Sequence, residues 1–270
     1  MPSFLRRSRD MSQLTVPPNR LRARLAEDRI VVGTMIVELR QPSIMTMLAD
    51  AGLEFVLIDS EHGPFSIETI ADLCRAARVV GITPIVRIPE LTYAHVTQPL
   101  DAGAQGIMLP RVTGPGQITS CLEFMKYPPD GRRGVVLSRG HTGFRAGPLG
   151  EVLAAMNRET FLVVQIETAD AVKQIEELLA IRGVDAALVG PTDLSVALGV
   201  PGQMDHPSLV EAIERTIAAC RKHEVVPALH TNDVAMTASW ARRGMRLVSI
   251  QSEAGLLSAG VRQAVGAIRA

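Results

Sequence analysis

Eight short apolar runs separated by helix-like stretches constrain this chain more than any other feature of its sequence. The runs occupy 33–37, 55–59, 84–88, 106–110, 162–167, 186–190, 226–230 and 247–251. Most are unbroken stretches of Val, Ile, Leu and Ala rather than alternating ones, the pattern of parallel strands covered on both faces. Between them the spacing predicts helices over 42–51, 67–80, 169–179 and 208–223. In the last of these, Leu209, Ile213, Ile217 and Cys220 recur at helical intervals and form one apolar stripe. Gly52, Gly81, Gly103, Gly183 and Gly244 each stand shortly before a strand, where helices commonly stop on a left-handed residue. Repeated units of this kind over 270 residues, with no late shift in composition, predict one (β/α)8 TIM barrel spanning 19–270.

Residues 1–18 are expected to form a flexible arm. Arg6, Arg7 and Arg9 are not followed by the apolar segment of an export signal, and Pro17 and Pro18 mark the entry to the folded body. Lysine plus arginine (28) balances aspartate plus glutamate (28), so there is no overall positive field to hold a polyanion, and nucleic-acid binding is not expected. No apolar run reaches the length of about 18 residues needed to span a bilayer. Cys74, Cys121 and Cys220 are odd in number and widely spaced, as expected of buried reduced thiols in a cytoplasmic protein. Phe55, Phe161 and Trp240 are expected in the core, Met35, Met45 and Met47 in packing, and His95, His206 and His223 at the surface. Gly114 and Gly116 read as a turn into a helix, since the string lacks the lysine of a nucleotide loop. Residues 126–150, KYPPDGRRGVVLSRGHTGFRAGPLG, are too long and polar for an ordinary connection. Placed after the C-terminal end of the fourth strand, they are expected to be functional or to form a lid.

Reactive groups in such barrels gather at the C-terminal ends of the strands. There the sequence puts Asp59, Glu61 and His62 after the second strand, Arg87 in the third, and Gln165 and Glu167 in the fifth. Gly190 and Asp193 follow at the sixth, with His230 and Gln251 at the seventh and eighth. Glu167 and Asp193 end neighbouring strands, which lie about 4.8 Å apart, so their charges repel unless a proton or cation lies between them. An all-oxygen pair suits Mg²⁺ or Mn²⁺. The plainer alternative has one of the two paired with an arginine, or Asp193 capping the helix that starts near Leu194. His62 is either structural or a base held through one ring nitrogen by Asp59. Arg87, in an otherwise apolar strand, either meets an anionic substrate or forms a buried ion pair with Asp59 or Glu61.

Six motifs occur in order: IDSEHGP (58–64), PIVRIP (84–89), DAGAQGIMLPRV (101–112), YPPDGRRG (127–134), VVQIET (163–168) and VGPTDLS (189–195). Through them the chain, from about residue 33 to 198, resembles the metal-dependent (class II) pyruvate aldolases of the HpcH/HpaI type. That family includes 4-hydroxy-2-oxoheptanedioate and 2-keto-3-deoxy-glucarate aldolases. The resemblance implies a barrel of the phosphoenolpyruvate/pyruvate type that cleaves 4-hydroxy-2-oxo acids to pyruvate and an aldehyde. It implies that Glu167 and Asp193 ligate Mg²⁺, Mn²⁺ or Co²⁺, with pyruvate chelating through its carboxylate and keto oxygens. Gln165, Gly190 and Thr192 then line the pyruvate pocket, the last two through backbone amides, and Arg87 faces the keto oxygen. His62 with Asp59 becomes the acid–base pair, and Glu61 orients metal-bound water. The metal serves as electron sink, so no Schiff-base lysine is required, and no predicted strand end carries one.

The resemblance further implies a trimer or hexamer in which a last helix near 256–268 packs on a neighbouring barrel through Leu256, Leu257, Val261, Val265 and Ile268. Two other readings stand beside it. A citryl- or malyl-CoA lyase relative needs a CoA-nucleotide patch, and none is evident. A non-catalytic oxo-acid-binding barrel leaves the full set of Asp59, His62, Arg87, Glu167 and Asp193 unexplained. The chain departs from the family at 138–147, where His141 and Arg145 add polar groups, at SIQSEAGLL, and at His230. These departures fall on the aldehyde side and bear on the acceptor rather than on the reaction type.

Overall fold

The computed structural model describes residues 16, 18–145 and 147–270; most of the expected arm lies outside the described residues. All eight expected strands form: β1 (Val31–Ile36), β2 (Phe55–Asp59), β3 (Thr83–Arg87), β4 (Gly106–Leu109), β5 (Phe161–Ile166), β6 (Ala186–Val189), β7 (Val226–Thr231) and β8 (Leu247–Ser252). Each pairs in parallel with the next, and β8 returns to β1 to close the barrel. Around the strands run α1 (Arg20–Ala26), α2 (Ile44–Asp50), α3 (Ile67–Val80), α4 (Tyr93–Ala102), α5 (Pro115–Met125) and α6 (Leu149–Glu159). They are followed by α7 (Ala169–Lys173), α8 (Ile175–Leu179), α9 (Pro191–Ala197), α10 (Pro207–Lys222), α11 (Val234–Arg242) and α12 (Glu253–Arg269).

Local chemistry explains the boundaries. Ser66 accepts from the Thr69 N–H to start α3, and Gly81, at φ 86°, ends it. The expected helix over 169–179 is interrupted: Gln174 leaves helical geometry, and its Nε2 donates to the Thr113 carbonyl at 2.8 Å, which separates α7 from α8. Apolar spacing continues through the break, so periodicity alone does not reveal it.

Side chains alternate along each strand between two cores. Met35, Leu57, Ile85, Met108, Val163, Leu188, Ala228 and Leu247 fill the barrel, with Leu21 of α1 joining this cluster. Residues of the other parity, such as Ile58 and Val86, pack outward against α2 and α3. Phe55, Phe161 and Trp240 are buried as expected, whereas Met47 is exposed and lies outside the core. The three thiols are buried and pushed up to about 12 by desolvation, so they are inert. Among the described residues no helix is long and apolar enough to cross a membrane.

Two features depart from expectation or go beyond it. Because α5 intervenes after β4, residues 126–145 leave from the end of a helix rather than from the end of the strand, and at 140–141 they pack against the ends of α3 and α4. Arg78 of α3 donates to the Gly140 carbonyl, and a Cβ on Gly140 would fall 2.2 Å from the Ala102 oxygen at the end of α4. His141 is buried, within 3.0 Å of the Val136 oxygen and 3.3 Å of the Asp101 oxygen, so it belongs to this outer seam. Separately, the Glu253 carboxylate at the start of α12 accepts from the N–H groups of Val37, Glu38 and Leu39, which follow β1.

Gly33 in β1 is required by close packing: a Cβ there would lie 2.4 Å from the Phe55 oxygen and 2.6 Å from its ring. Gly33→Ala is expected to cost about 1–3 kcal/mol, the usual range for overpacking, read as a lower urea midpoint at unchanged m-value. An unaltered midpoint would show that the interior yields at this point.

Candidate active site

The parity that fills the barrel also places polar groups at its mouth. Two residues beyond Leu57, Ile85, Val163, Ala228 and Leu247 on their own strands come Asp59, Arg87, Gln165, His230 and Ser249. These positions share the inward face because strand side chains repeat with period two. Glu167 follows β5 directly, and Gly190 and Asp193 flank the start of α9. Two recesses open at this end. One, of about 180 Å³, is lined among others by Gln165, Gly190, Thr192 and His230. The other, of about 330 Å³, includes Glu61, Arg111, Glu167 and Thr168 in its lining. His62, Arg87 and Asp193 line both.

Arg87 and Asp59 are register partners on β3 and β2. Arg87 Nε donates to Asp59 Oδ1 at 2.8 Å and Nη2 to Oδ2 at 2.6 Å, while Nη1 lies 3.3 Å from Glu61 Oε2. Of the two readings of Arg87, the buried ion pair is therefore realised. Burial pushes the Asp59 carboxyl up, but hydrogen bonding and charge from Arg87 outweigh it and hold the group below the usual carboxylate range.

The expected grip of Asp59 on the His62 ring is not present. Asp59 Oδ1 instead accepts the backbone N–H groups of Glu61 at 3.0 Å and His62 at 3.3 Å. Both carboxylate oxygens are committed to Arg87, so Asp59 fixes the turn that carries His62 while the ring extends into the mouth. The exposed imidazole makes no hydrogen bond among the described residues.

Glu167 is 5% exposed. Its Oε1 accepts from the Arg111 N–H at 2.7 Å, and its Oε2 from Gln165 Nε2. Burial, with added repulsion from Asp193 and Glu61, pushes its carboxyl up to about 7 despite the Arg111 bond. Asp193 makes no capping bond to α9, so the plainer reading of that residue is not realised. The Gln165 Oε1 is buried without a partner. A Cβ on Gly190 would come within 3.1 Å of Gln165 Nε2 and 3.3 Å of Glu167 Oε2, so glycine keeps this cradle open. Hard oxygen donors with a suppressed charge and an idle amide oxygen fit a divalent cation. Among the described residues no three His, Cys, Asp or Glu side chains gather at one point.

Sequence reasoning gave no role to Arg111. It adopts a left-handed backbone (φ 50°), which turns its N–H onto Glu167, and its side chain reaches Glu61 at 3.2 Å. An arginine directly after the proline that follows β4 was the available signal. The sequence places His230 at the end of the seventh strand and marks it as a departure, without assigning it a role. Here its Nδ1 lies 2.9 Å from the Ser249 hydroxyl, and burial together with Arg87 pushes the ring down to about 4.

With this geometry established, comparison with known proteins is direct. The family model described as HpcH/HpaI aldolase/citrate lyase matches residues 34–258. The chain is 30% identical over 244 residues to a hydroxypyruvate/pyruvate aldolase of Sagittula stellata, covering 90% of this chain and 95% of that one. It is 28% identical over 252 residues to a 5-keto-4-deoxy-D-glucarate aldolase of Klebsiella pneumoniae, covering 93% and 97%. The crystal structure of an HpcH/HpaI aldolase from Desulfitobacterium hafniense superposes with a TM-score of 0.88 at 34% identity, over 92% of this chain and 96% of that one. The barrel is thus a carbon–carbon lyase of the aldolase class. It belongs to the HpcH/HpaI aldolase/citrate lyase family.

The raised Glu167 pKa has a sign that can be measured. The folded, metal-free chain holds an extra proton between the ordinary value of 4.5 and about 7. The stability contributed by that proton is complete below the lower value and is lost as pH rises through the upper one. A divalent cation bound at Glu167 would compete with that proton and relieve the same repulsion. Mg²⁺ or Mn²⁺ is therefore expected to raise the Tm of EDTA-treated protein clearly at pH 8 and little at pH 5.5, with the response lost in Glu167→Gln. Equal shifts at both pH values would remove Glu167 from the cation site.

Proposed function

We propose that this chain is a divalent-metal-dependent aldolase that cleaves 4-hydroxy-2-oxo acids to pyruvate, or a close analogue, and an aldehyde. The observation that carries the reading is a buried carboxylate pushed up to about 7 beside Asp193, facing a guanidinium locked by Asp59 at the same mouth. Glu167 and Asp193 hold Mg²⁺, Mn²⁺ or Co²⁺. When bound, the cation supplies an electron sink for charge that develops on the oxo acid.

The chain's own residues do the rest. The substrate carboxylate lies at the Gly190–Thr192 edge, with Gln165 beside it. Arg87 has five N–H donors, and its contacts with Asp59 and Glu61 leave two for the keto oxygen, where negative charge grows. His62 takes the proton from the C4 hydroxyl, and the C3–C4 bond breaks. Its electron pair passes into the oxo acid as an enolate, and the aldehyde departs. A proton returned to C3 completes pyruvate. Asp59 acts as a positioning residue for Arg87 and for the His62 turn, and Glu61 orients water while tethering Arg87 and Arg111.

Pyruvate release from racemic 4-hydroxy-2-oxo acids, with each cation and with EDTA, tests this reading. Metal-dependent release is expected, with Glu167→Ala losing cation binding. His62→Ala is expected to slow cleavage by about a hundredfold or more at nearly unchanged cation affinity. No release under any cation, from folded protein, would sink the proposal.

The same reading takes the unit from residue 19 onward as catalytic and its assembly as a trimer or hexamer. Leu257, Val261 and Ile268 of α12 are 59%, 54% and 85% exposed, an apolar face suited to a neighbouring subunit. The three unpaired, buried thiols support a cytoplasmic setting. Light scattering at micromolar concentration is expected to give a multiple of the 29.1 kDa chain; a monomeric mass would reject the assembly.

A further inference from the structure

The roles assigned so far leave one polar wall of the inner recess without a task. His230 is the register partner of Ser249, and the two meet across β7 and β8 through Nδ1 and the hydroxyl. Ser249 is fully buried, so this bond fixes the ring. The other ring nitrogen, Nε2, has no partner among the described residues, and the ring lines the recess. Neighbouring polar groups are already engaged: the Thr231 hydroxyl donates to the Asp233 carbonyl at 2.8 Å, and Asp59 is committed to Arg87. The charged groups acting on the imidazole are Arg87 and Asp59, and with burial they leave it neutral at physiological pH.

One nitrogen of this neutral imidazole is bonded and the other opens onto the recess, so a ligand group that covers it must supply a hydrogen bond in place of solvent. With the carboxylate at the Gly190–Thr192 edge and the keto oxygen toward Arg87, the β7 wall is left for C3 of the oxo acid. Met35 and Met108 supply apolar lining of that recess, and on its β7 side the polar lining comes from His230, Thr231 and Asn232. A hydroxyl both donates and accepts, so it satisfies Nε2 whichever tautomer Ser249 selects.

We propose that His230 is a specificity-determining residue that reads the C3 substituent of the donor and equips the site for 2-oxo acids bearing a hydroxyl at that carbon. The proposal rests on the aldolase reading above.

Condensation with one fixed aldehyde, at saturating Mn²⁺, gives kcat/KM for hydroxypyruvate and for pyruvate. The ratio of the two is expected to fall about tenfold in His230→Leu, the size of one neutral hydrogen bond, and to recover substantially in His230→Gln. An unchanged ratio, or an equal loss for both donors, would overturn the proposal. Circular dichroism checks each fold. If His230→Leu does not fold, the imidazole resonances of the wild-type chain decide: hydroxypyruvate must move the His230 signal further than pyruvate does, and equal movement rejects the assignment. Failure of wild-type protein to turn over pyruvate with any cation would strike at the aldolase reading itself, which separates the two failures.

Discussion

Arg87 donates to both oxygens of Asp59 from the adjacent strand, and the pair lies almost wholly out of solvent at the ends of β2 and β3. Removing one partner of such a pair strands a buried charge, at a typical cost of about 3–5 kcal/mol. Its value to this molecule lies in geometry more than in stability. Arg87 cannot swing, because two of its nitrogens are held in a planar fork. Asp59 has both oxygens committed and shares one with the amides that build the His62 turn. A single contact thus sets the direction of the guanidinium and the position of the exposed imidazole.

The second constraint is electrostatic. Glu167 is surrounded by burial, Asp193 and Glu61, and the Arg111 N–H relieves only part of the penalty. That N–H is available because Arg111 occupies a left-handed backbone conformation, uncommon for a side chain of this size. The strain coincides with a backbone donor aimed at Glu167 Oε1, and such outliers gather in functional clefts.

Much of this was legible in the sequence. Strand runs, helix-ending glycines and the inward parity of Asp59, Arg87 and Gln165 follow from local patterns. What escaped depended on register and connectivity. The sequence leaves Arg87 open between an anionic substrate and an ion pair with Asp59 or Glu61, and only the register of β3 on β2, across 28 residues, decides it. The 126–150 segment was read from its distance to β4; α5 stands between them and carries the chain to the opposite end of the barrel. Gln174 breaks a helix whose apolar spacing is continuous because a tertiary bond to Thr113 competes with it. Strand position puts His230 at the mouth but leaves it without a role, because that depends on Ser249 across the sheet.

The Glu253 carboxylate gives α12 an uneven character. Three successive amides after β1 converge on this side chain, a small anion nest occupied from within the chain. The first turn of the last helix is therefore stitched to the loop that rims the mouth, while the residues after Gly260 are all exposed and touch little of their own barrel. The two ends of α12 thus answer to different constraints: its opening residue is fixed by the loop after β1, and its outer turns by whatever meets their exposed apolar side chains. A C-terminal helix that looks like an appendage is a hinge pin, seated in its own barrel at one end and offered outward at the other.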